Sequence, residues 1–175
     1  INLWWKEKLQ QEFQLESCLE LQFERHYHRF LMPTLRGTEL GSKKRYAGLC
    51  HENGEDKLIF KGMETVRSDW TELAKIFQTG LYERIFQEQD PREFIRDTIE
   101  KTQRGELDEC LVYRKRLRRK LDDYDKTQPP HVKAARLADE IRRQRGLPPR
   151  YQHKGWIEYV ITTQGPEPVA YQQRV

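Results

Sequence analysis

Apolar and polar side chains alternate over residues 19–24, where three large apolar residues are separated by glutamate and glutamine. A period of two predicts a strand with one face toward the interior and one toward solvent. Residues 2–13 instead place leucine and phenylalanine where one side of a helix would bring them together. We therefore expect a helix followed by a strand at the start of the chain.

Two further runs predict strands, at residues 45–50 and 57–61. Between them stands Asn53-Gly54, a pair that tolerates the positive φ angles of a tight hairpin turn. We expect these two strands to form a hairpin and to build a small antiparallel sheet with the strand at 19–24.

Apolar residues recur at helical spacing in the next part of the chain. Asp69 and Glu72 have the spacing of a capping box, which predicts Asp69 as N-cap and Glu72 at the third helical position. A second helix is predicted to begin at Asp90-Pro91, because aspartate caps helices and proline favours their first position. It should end before Gly105, since glycine suits the left-handed residue that follows a helix.

A third helix is predicted over residues 131–145, followed by a last strand over residues 155–163 that Gly165-Pro166 would close. The helix should bury an apolar stripe made of Ala134, Leu137, Ala138 and Ile141. The order of elements predicts an α+β fold, with a small antiparallel sheet and hairpin followed by a mainly helical part.

Composition limits the size of the core and the source of any basic surface. Apolar residues make up 36% of the chain and charged residues 34%, so the core is modest, while 7 Phe, 4 Trp and 8 Tyr argue against a disordered chain. The net charge of +4 is mild. A nucleic-acid surface must therefore come from clustered cations rather than from the total charge.

Cysteine usage and hydropathy favour a cytoplasmic protein. The 3 cysteines are far apart in the sequence and form no Cys-x-x-Cys pair, so we expect reduced thiols and neither a disulfide framework nor a zinc knuckle. Apolar runs stay well below the roughly 20 residues that span a membrane. The first residues also lack the pattern of a signal peptide.

The first cluster of cations is Lys43-Lys44-Arg45, followed at once by Tyr46. On a strand, Lys44 and Tyr46 would share one face. A cation and an aromatic ring that project together suit the backbone and groove of a nucleic acid. Small residues on both sides leave room for another backbone to approach. The alternative is a solvated strand end.

A second cluster has six cations in seven positions, from Arg114 to Lys120, and contains no acid. That many phosphate contacts would make nucleic-acid binding steeply dependent on salt. The alternatives are a solvated face and a surface for another partner.

Other candidates have structural alternatives that are at least as strong. Arg67 could hold a phosphate, or it could anchor the joint between sheet and helix through Glu64 or Asp69. His26 and His28 could share a strand face as a metal pair, but no third ligand is close in sequence. Acids at positions 122, 123 and 125 could bind Mg²⁺ or could form a salt-bridging loop.

Motifs for catalysis are missing from the sequence. It contains no glycine-rich phosphate loop, no Gly-x-Ser-x-Gly and no His-Glu-x-x-His. The residues alone therefore indicate a nucleic-acid-binding body without a catalytic centre. Two alternatives remain, a stand-alone basic nucleic-acid-binding module and a metal-dependent nuclease that uses the acids near Asp123.

Five segments together resemble the family B DNA polymerases, and most closely their bacterial DNA polymerase II branch. They occur in the family's order and at its spacing, and they cover nearly the whole chain. The segments are residues 41–49, 60–71, 111–119, 130–138 and the Gly-x-Ile-x-Tyr-Val strand that begins at Gly155.

The resemblance implies a division of the chain and a set of DNA contacts. Residues 1–67 would be the last part of the polymerase palm, and residues 68–175 the thumb. Lys44 and Tyr46 match a Lys-x-Tyr motif that contacts the primer end, with the lysine in the minor groove. The thumb would hold the duplex through its backbone. The predicted DNA-binding residues are Lys43, Lys44, Arg45, Tyr46, Arg67, Lys115, Arg116, Arg118, His131, Lys133 and Arg136.

The resemblance also implies which parts of such an enzyme lie elsewhere. The chain begins at Ile1 rather than at methionine, so we expect a piece excised from a longer protein. In the family, two aspartates that bind Mg²⁺ lie on palm segments that would precede Ile1, and the fingers bind deoxynucleotides. This piece should therefore bind no metal, contain no catalytic residue and be inactive alone. A sliding clamp would bind the parent's C-terminus, and the parent would act in the bacterial cytoplasm at the nucleoid.

Overall fold

The computed structural model describes residues 1–34, 37–42 and 44–171. It begins with helix α1, Asn2–Phe13, as predicted, but α1 buries none of its side chains. The predicted strand at 19–24 is wrong, because these residues form no regular element. The side chain of Asn2 takes the place of a partner strand at Leu21, donating to its carbonyl at 2.9 Å and accepting from its N–H at 2.8 Å.

The first sheet contains the predicted hairpin. Its strands are β1 (Arg29–Leu31), β2 (Tyr46–Glu52) and β3 (Glu55–Lys61), in the antiparallel order β1-β2-β3. Asn53 and Gly54 have φ angles of 55° and 87°, so both occupy the left-handed region that a two-residue type I′ turn requires. This turn determines the register, in which Glu52 faces Glu55 and Tyr46 faces Lys61.

Helix α2, Glu72–Phe86, begins later than the predicted capping box requires. Its N-cap is Thr71, whose Oγ1 accepts a hydrogen bond from the Ala74 N–H at 3.3 Å, so Asp69 is not the cap and Glu72 is not at the third position. Threonine and aspartate are both good caps. Asp69 is instead drawn to two cations, one of them distant in sequence.

Helix α3, Arg92–Gln103, begins one residue later than predicted, because Pro91 is the N-cap instead of the first helical residue, and it ends before Gly105 as predicted. The Asp90 carboxylate accepts from the Arg92 N–H at 3.0 Å, and Gly105 has a φ of 76° just beyond the helix. Helix α3 packs on α2 through the stacked rings of Phe77 and Phe94, whose centroids lie 5.6 Å apart.

The second sheet has the antiparallel order β4-β5-β6. Its strands are β4 (Tyr113–Leu117), β5 (Gly155–Thr162) and β6 (Gly165–Pro168). Strand β5 is the predicted last strand, but Gly165-Pro166 opens β6 instead of closing the sheet. Much of the basic run lies in β4, so the second half of the chain is less helical than the sequence predicts, within a fold that is α+β as expected.

Helix α4, Pro130–Gln144, covers the second sheet. Ala134 and Ala138 are fully buried as predicted, whereas Leu137 is 40% exposed. The buried face is rotated toward Val132 and Ala135, and small residues there let the helix lie close to the strands. Asp139 is also buried, and its carboxylate accepts from the Arg150 N–H at 2.7 Å.

Two hydrophobic clusters form the core. One joins Ala47 and Met63 to Tyr82 and Phe86 of α2, so α2 packs with the first sheet. The other lies between α4 and the second sheet, around residues such as Leu117, Val132 and Ile157. The three cysteines are free, as expected. Among the residues that the structure describes, no helix is long and apolar enough to cross a membrane.

Candidate nucleic-acid interface

Lys44 and Arg45 lie at the corner where the chain enters β2. Lys44 is exposed and occupies a turn before the strand, and Lys43 lies outside the described residues. The backbone of Lys44 passes close to Gly62, where a Cβ would meet the Lys44 carbonyl oxygen at 2.2 Å and the φ is 63°. Only glycine suits this crossing. The crossing of Gly62 therefore holds the backbone of Lys44 at the end of the hairpin.

Arg45 is paired within the protein. Its guanidinium forms a short ion pair with the carboxylate of Glu64, which also accepts a hydrogen bond from Gln78 Nε2 at 2.7 Å. These contacts tie the start of β2 to helix α2. Arg45 keeps 45% of its side-chain surface exposed, so a phosphate could still reach it from the open side.

Tyr46 is half-buried in a group of three aromatic rings. Its ring centroid lies 5.1 Å from that of Phe30 and 6.0 Å from that of Tyr27. A hydrogen bond with Tyr27, together with burial, raises the pKa of Tyr46, which keeps its hydroxyl protonated. A tyrosine held in this way presents a rigid ring beside the exposed Lys44.

Lys61 is a cation that the sequence prediction missed. It lies directly across the hairpin from Tyr46, and paired residues of an antiparallel sheet share a face. The signal was present, because a two-residue turn at positions 53 and 54 pairs residue 46 with residue 61. Lys61 is exposed, so two exposed lysines, Lys44 and Lys61, lie at the same end of the hairpin as Tyr46.

The basic run of β4 does not form a single surface. Residues alternate across the strand, so Arg114 and Arg116 are exposed while Lys115 is half-buried on the opposite face. On the exposed face Arg114 lies 5.0 Å from the ring centroid of Trp156 and 3.7 Å from the carboxylate of Glu158. The predicted contacts Lys115 and Arg116 therefore face opposite sides of the sheet.

Lys115 belongs to an ion-pair network that links β4 to the start of α2. Its ammonium lies 3.0 Å from Asp69 Oδ2, and Arg67 donates two hydrogen bonds to the same carboxylate at 3.0 Å and 2.8 Å. The Arg67 hydrogen bonds, followed by that of Lys115, hold the pKa of Asp69 far below its usual range. Of the two roles predicted for Arg67, the structure shows the anchor at Asp69.

The predicted residues on and before α4 divide into two groups. His131 is half-buried near Lys115, and burial, helped by the lysine charge, lowers the pKa of its imidazole. Lys133 is exposed on the first turn of the helix. Arg136 instead donates to the carbonyls of Leu121 and Tyr124 at 3.0 Å and 3.3 Å, so it stabilises the loop before α4. Arg118 is exposed after β4.

The other candidates found structural partners. Asp56 takes a hydrogen bond from His51 at 3.0 Å and lies 3.9 Å from His28. Asp123 accepts from the Lys120 N–H at 3.3 Å. Within residues 1–34, 37–42 and 44–171, no three His, Cys, Asp or Glu side chains are grouped as a metal site would need.

Comparisons with known proteins agree with this arrangement of elements. A family model described as DNA polymerase family B matches residues 6–174. DNA polymerase II of Escherichia coli K12 is 57% identical over 173 residues, which is 99% of this chain and 22% of that protein. A DNA polymerase of Archaeoglobus fulgidus is 39% identical over 104 residues, 57% of this chain and 13% of that protein.

A solved structure shows the same fold. The family B DNA polymerase of the hyperthermophilic archaeon Pyrobaculum calidifontis matches with a TM-score of 0.51 at 23% identity, covering 97% of this chain and 21% of that one. The chain thus spans about a fifth of the length of the bacterial relative and of this archaeal structure.

Proposed function

Because the chain belongs to DNA polymerase family B, we propose that it binds primer–template DNA as the palm and thumb portion of a DNA-directed DNA polymerase. One observation carries the proposal: two exposed lysines, Lys61 directly across the hairpin from Tyr46 and Lys44 just before it, lie with the packed ring of Tyr46 at the same end of the first sheet. Cations and an aromatic ring at one edge of a sheet suit the minor groove and its flanking phosphates.

The two parts of the chain have different tasks in this proposal. Lys44 enters the minor groove near the primer end, where the hydrogen-bonding pattern is degenerate. A contact there tests the shape of a base pair without reading its sequence, which a copying enzyme requires. The cations of β4 and α4, including Arg116 and Lys133, hold the phosphate backbone of the duplex product.

Nucleotidyl transfer is assigned to the rest of a longer enzyme. Such chemistry uses two metal ions held by carboxylates. We expect Mg²⁺ and deoxynucleotides to bind to segments outside this chain, and a sliding clamp to bind the parent enzyme. A protein with this role acts at the bacterial nucleoid.

Duplex binding tests the proposal directly. Fluorescence anisotropy with a labelled primer–template at moderate salt should show that Lys44→Ala binds roughly five- to tenfold more weakly, the loss expected for one groove contact. Lys101→Ala on α3 is the matched control, because Lys101 pairs with Asp97 on the same helix at 2.8 Å. Equal affinity of Lys44→Ala and the parent would remove the role given to Lys44.

Primer extension tests the assignment of the chemistry. The chain with Mg²⁺ and four deoxynucleotides should extend a labelled primer no further than a reaction without protein. A complete family B polymerase in a parallel reaction verifies the substrate. Extension above the protein-free level would show that this chain carries its own catalytic carboxylates.

A further inference from the structure

A short segment without regular structure, residues 25–28, crosses the outer face of β2. Strand alternation turns Ala47 and Leu49 toward the first core and turns the even-numbered residues of β2 to the other side. The segment lies on that other side, and its end is held by a hydrogen bond from the His28 N–H to the Leu49 carbonyl at 3.0 Å. We call residues 25–28 the strap.

Gly48 is the point where the strap touches the strand. A Cβ at Gly48 would lie 2.3 Å from Cδ1 of the Tyr27 ring, closer than any side chain permits. Gly48 is not among the residues with a positive φ, so the close approach of the ring, and not the backbone conformation, requires glycine here. The missing side chain is the space into which Tyr27 fits.

From this position Tyr27 supports Tyr46. The two rings meet edge to face at an angle of 73°, and Phe30 closes the group at 5.6 Å from Tyr27. The neighbouring hydroxyl group of Tyr27 raises the pKa of Tyr46. A tyrosine at the end of a strand has several open rotamers. Packing against the rings of Tyr27 and Phe30 selects one of them.

An ion pair with Glu52 holds the other end of the strap, at Arg25. Arg25 Nε donates to the Glu52 carboxylate, and the neighbouring Tyr27 together with Glu52 raises the pKa of Arg25. The hydrogen bond from Arg25 lowers the pKa of Glu52, so the pair stays charged at neutral pH. Glu52, Arg25, Tyr27 and Tyr46 therefore form one continuous chain of neighbours along the seven residues of β2.

We propose that Tyr27, held by Arg25 and Glu52, is a positioning residue that orients Tyr46 for its contact with primer–template DNA. The inference rests on the proposed function, in which Tyr46 touches the duplex. A residue held in one rotamer by its neighbours loses less freedom on binding, so the supporting group contributes to affinity without touching the DNA.

A double-mutant cycle tests the proposal through the primer–template dissociation constant. Tyr27→Phe removes the hydroxyl and keeps the ring on Gly48, so the fold is retained. We expect Tyr27→Phe and Tyr46→Phe each to weaken binding about three- to fivefold, the loss expected for one hydrogen bond. The double variant should be no weaker than Tyr46→Phe alone. An unchanged Tyr27→Phe, or losses that multiply in the double variant, would overturn the proposal.

A second measurement separates positioning from a general effect on the fold. In protein labelled with ¹³C on the tyrosine rings, the Tyr46 signal is assigned by its absence in Tyr46→Phe. Its titration should move to lower pH in Tyr27→Phe, while the thermal unfolding midpoint stays within about 2 °C of the parent. A Tyr46 titration that does not move would overturn the proposal.

Tyr171→Phe provides the matched control. Its hydroxyl pairs with Arg142 Nη1 at 3.1 Å, so the substitution removes a comparable tyrosine–arginine hydrogen bond near the second core. It should bind DNA like the parent. If Tyr27→Phe binds DNA like the parent while Lys44→Ala binds more weakly, only the positioning role of Tyr27 is refuted. If Lys44→Ala and Tyr46→Ala both bind DNA like the parent, the proposed function is refuted as well.

Discussion

The two basic strands of this protein begin from similar composition and arrive at different surfaces. At β2 the cations precede the strand, and Lys44 is exposed in the turn before Tyr46. At β4 three of the six cations lie within the strand, so alternation divides those three between two faces. One face carries exposed arginines beside Trp156, and the other carries Lys115 bound to Asp69.

The difference teaches that a count of clustered charges does not measure a binding surface. A cation before a strand is free to turn toward a ligand, while each cation inside a strand is committed to one face. Whether such a cation can bind a ligand then depends on the side chains that it contacts on that face. Lys115 already neutralises a carboxylate, and Arg114 already lies against Glu158.

We expect the largest change in stability from a substitution of the core residue at the end of β4. Leu117 is the fully buried residue at the end of that strand, with an exposed fraction of 0%. Leu117→Ala should lower the free energy of unfolding by about 3 kcal/mol, since it removes apolar contacts and leaves a cavity. Urea denaturation measures the change. Ile161→Ala on β5, where the side chain is 55% exposed, is the control and should cost less than about 0.5 kcal/mol. Equal losses would contradict the assigned core.

The Asp69 network should give the next effect. Asp69→Asn should lower the free energy of unfolding by about 1 kcal/mol at pH 7. The expected loss is small because Asp69 is only half-buried, so solvent screens its ion pairs. The folded pKa of Asp69 is depressed, so its contribution is present above the unfolded value of 3.8 and is lost as pH falls below it. Parent and variant should therefore converge in urea titrations as pH falls below that value.

A variant on α3 gives the control for Asp69. Asp97→Asn removes an exposed ion pair to Lys101 within one helix, and such pairs contribute less than about 0.5 kcal/mol. A pH-independent gap between Asp69→Asn and the parent would mean that lost ionic contacts are not its cause.

The salt dependence of duplex binding should separate the two faces of β4. If Arg116 holds a phosphate as proposed, Arg116→Gln should reduce the slope of log affinity against log salt by about 0.9. Lys115→Gln should change the slope less, because Lys115 already serves Asp69 as counterion. Anisotropy titrations at several salt concentrations give both slopes. A larger change for Lys115→Gln would reverse the assignment of the faces.

We expect the smallest effect from His131 of α4, which lies near Lys115 of β4. Burial lowers the folded pKa of His131 below the unfolded value of 6.5. The unfolded chain therefore takes up the proton first, and stability is complete above pH 6.5 and declines below it. His131→Gln should flatten this decline below pH 6.5 by less than about 1 kcal/mol. Urea titrations of the variant and the parent at several pH values measure the difference, and equal declines would contradict the assignment.

Elements with strong local signals were predicted well from the sequence. Asn53-Gly54 forms the predicted turn, and Gly105 follows α3 with the expected left-handed conformation. These signals work because a positive φ is a property of one or two residues, whatever surrounds them. Helix α4 and strand β5 also lie where their spacing predicts.

Elements that depend on distant partners were predicted poorly. The alternation at 19–24 is a pattern suited to a strand, but no neighbouring strand pairs with it, and the side chain of Asn2 binds the backbone there. Asp69 has the character of an N-cap, yet its partner Lys115 lies 46 residues away and Thr71 takes the cap. The division at residue 67 between palm and thumb remains a prediction, as do the individual DNA contacts.

The sequence by itself determined the hairpin, its register, the end of α3 and the family, because each follows from neighbouring residues or from ordered motifs. It thereby also determined that Lys61 lies opposite Tyr46. Only the tertiary structure decided which cations are free, which face each one occupies, and that Tyr27 supports Tyr46 across Gly48. The physical reason is that charge pairing and ring packing depend on distances in space, which local spacing does not encode.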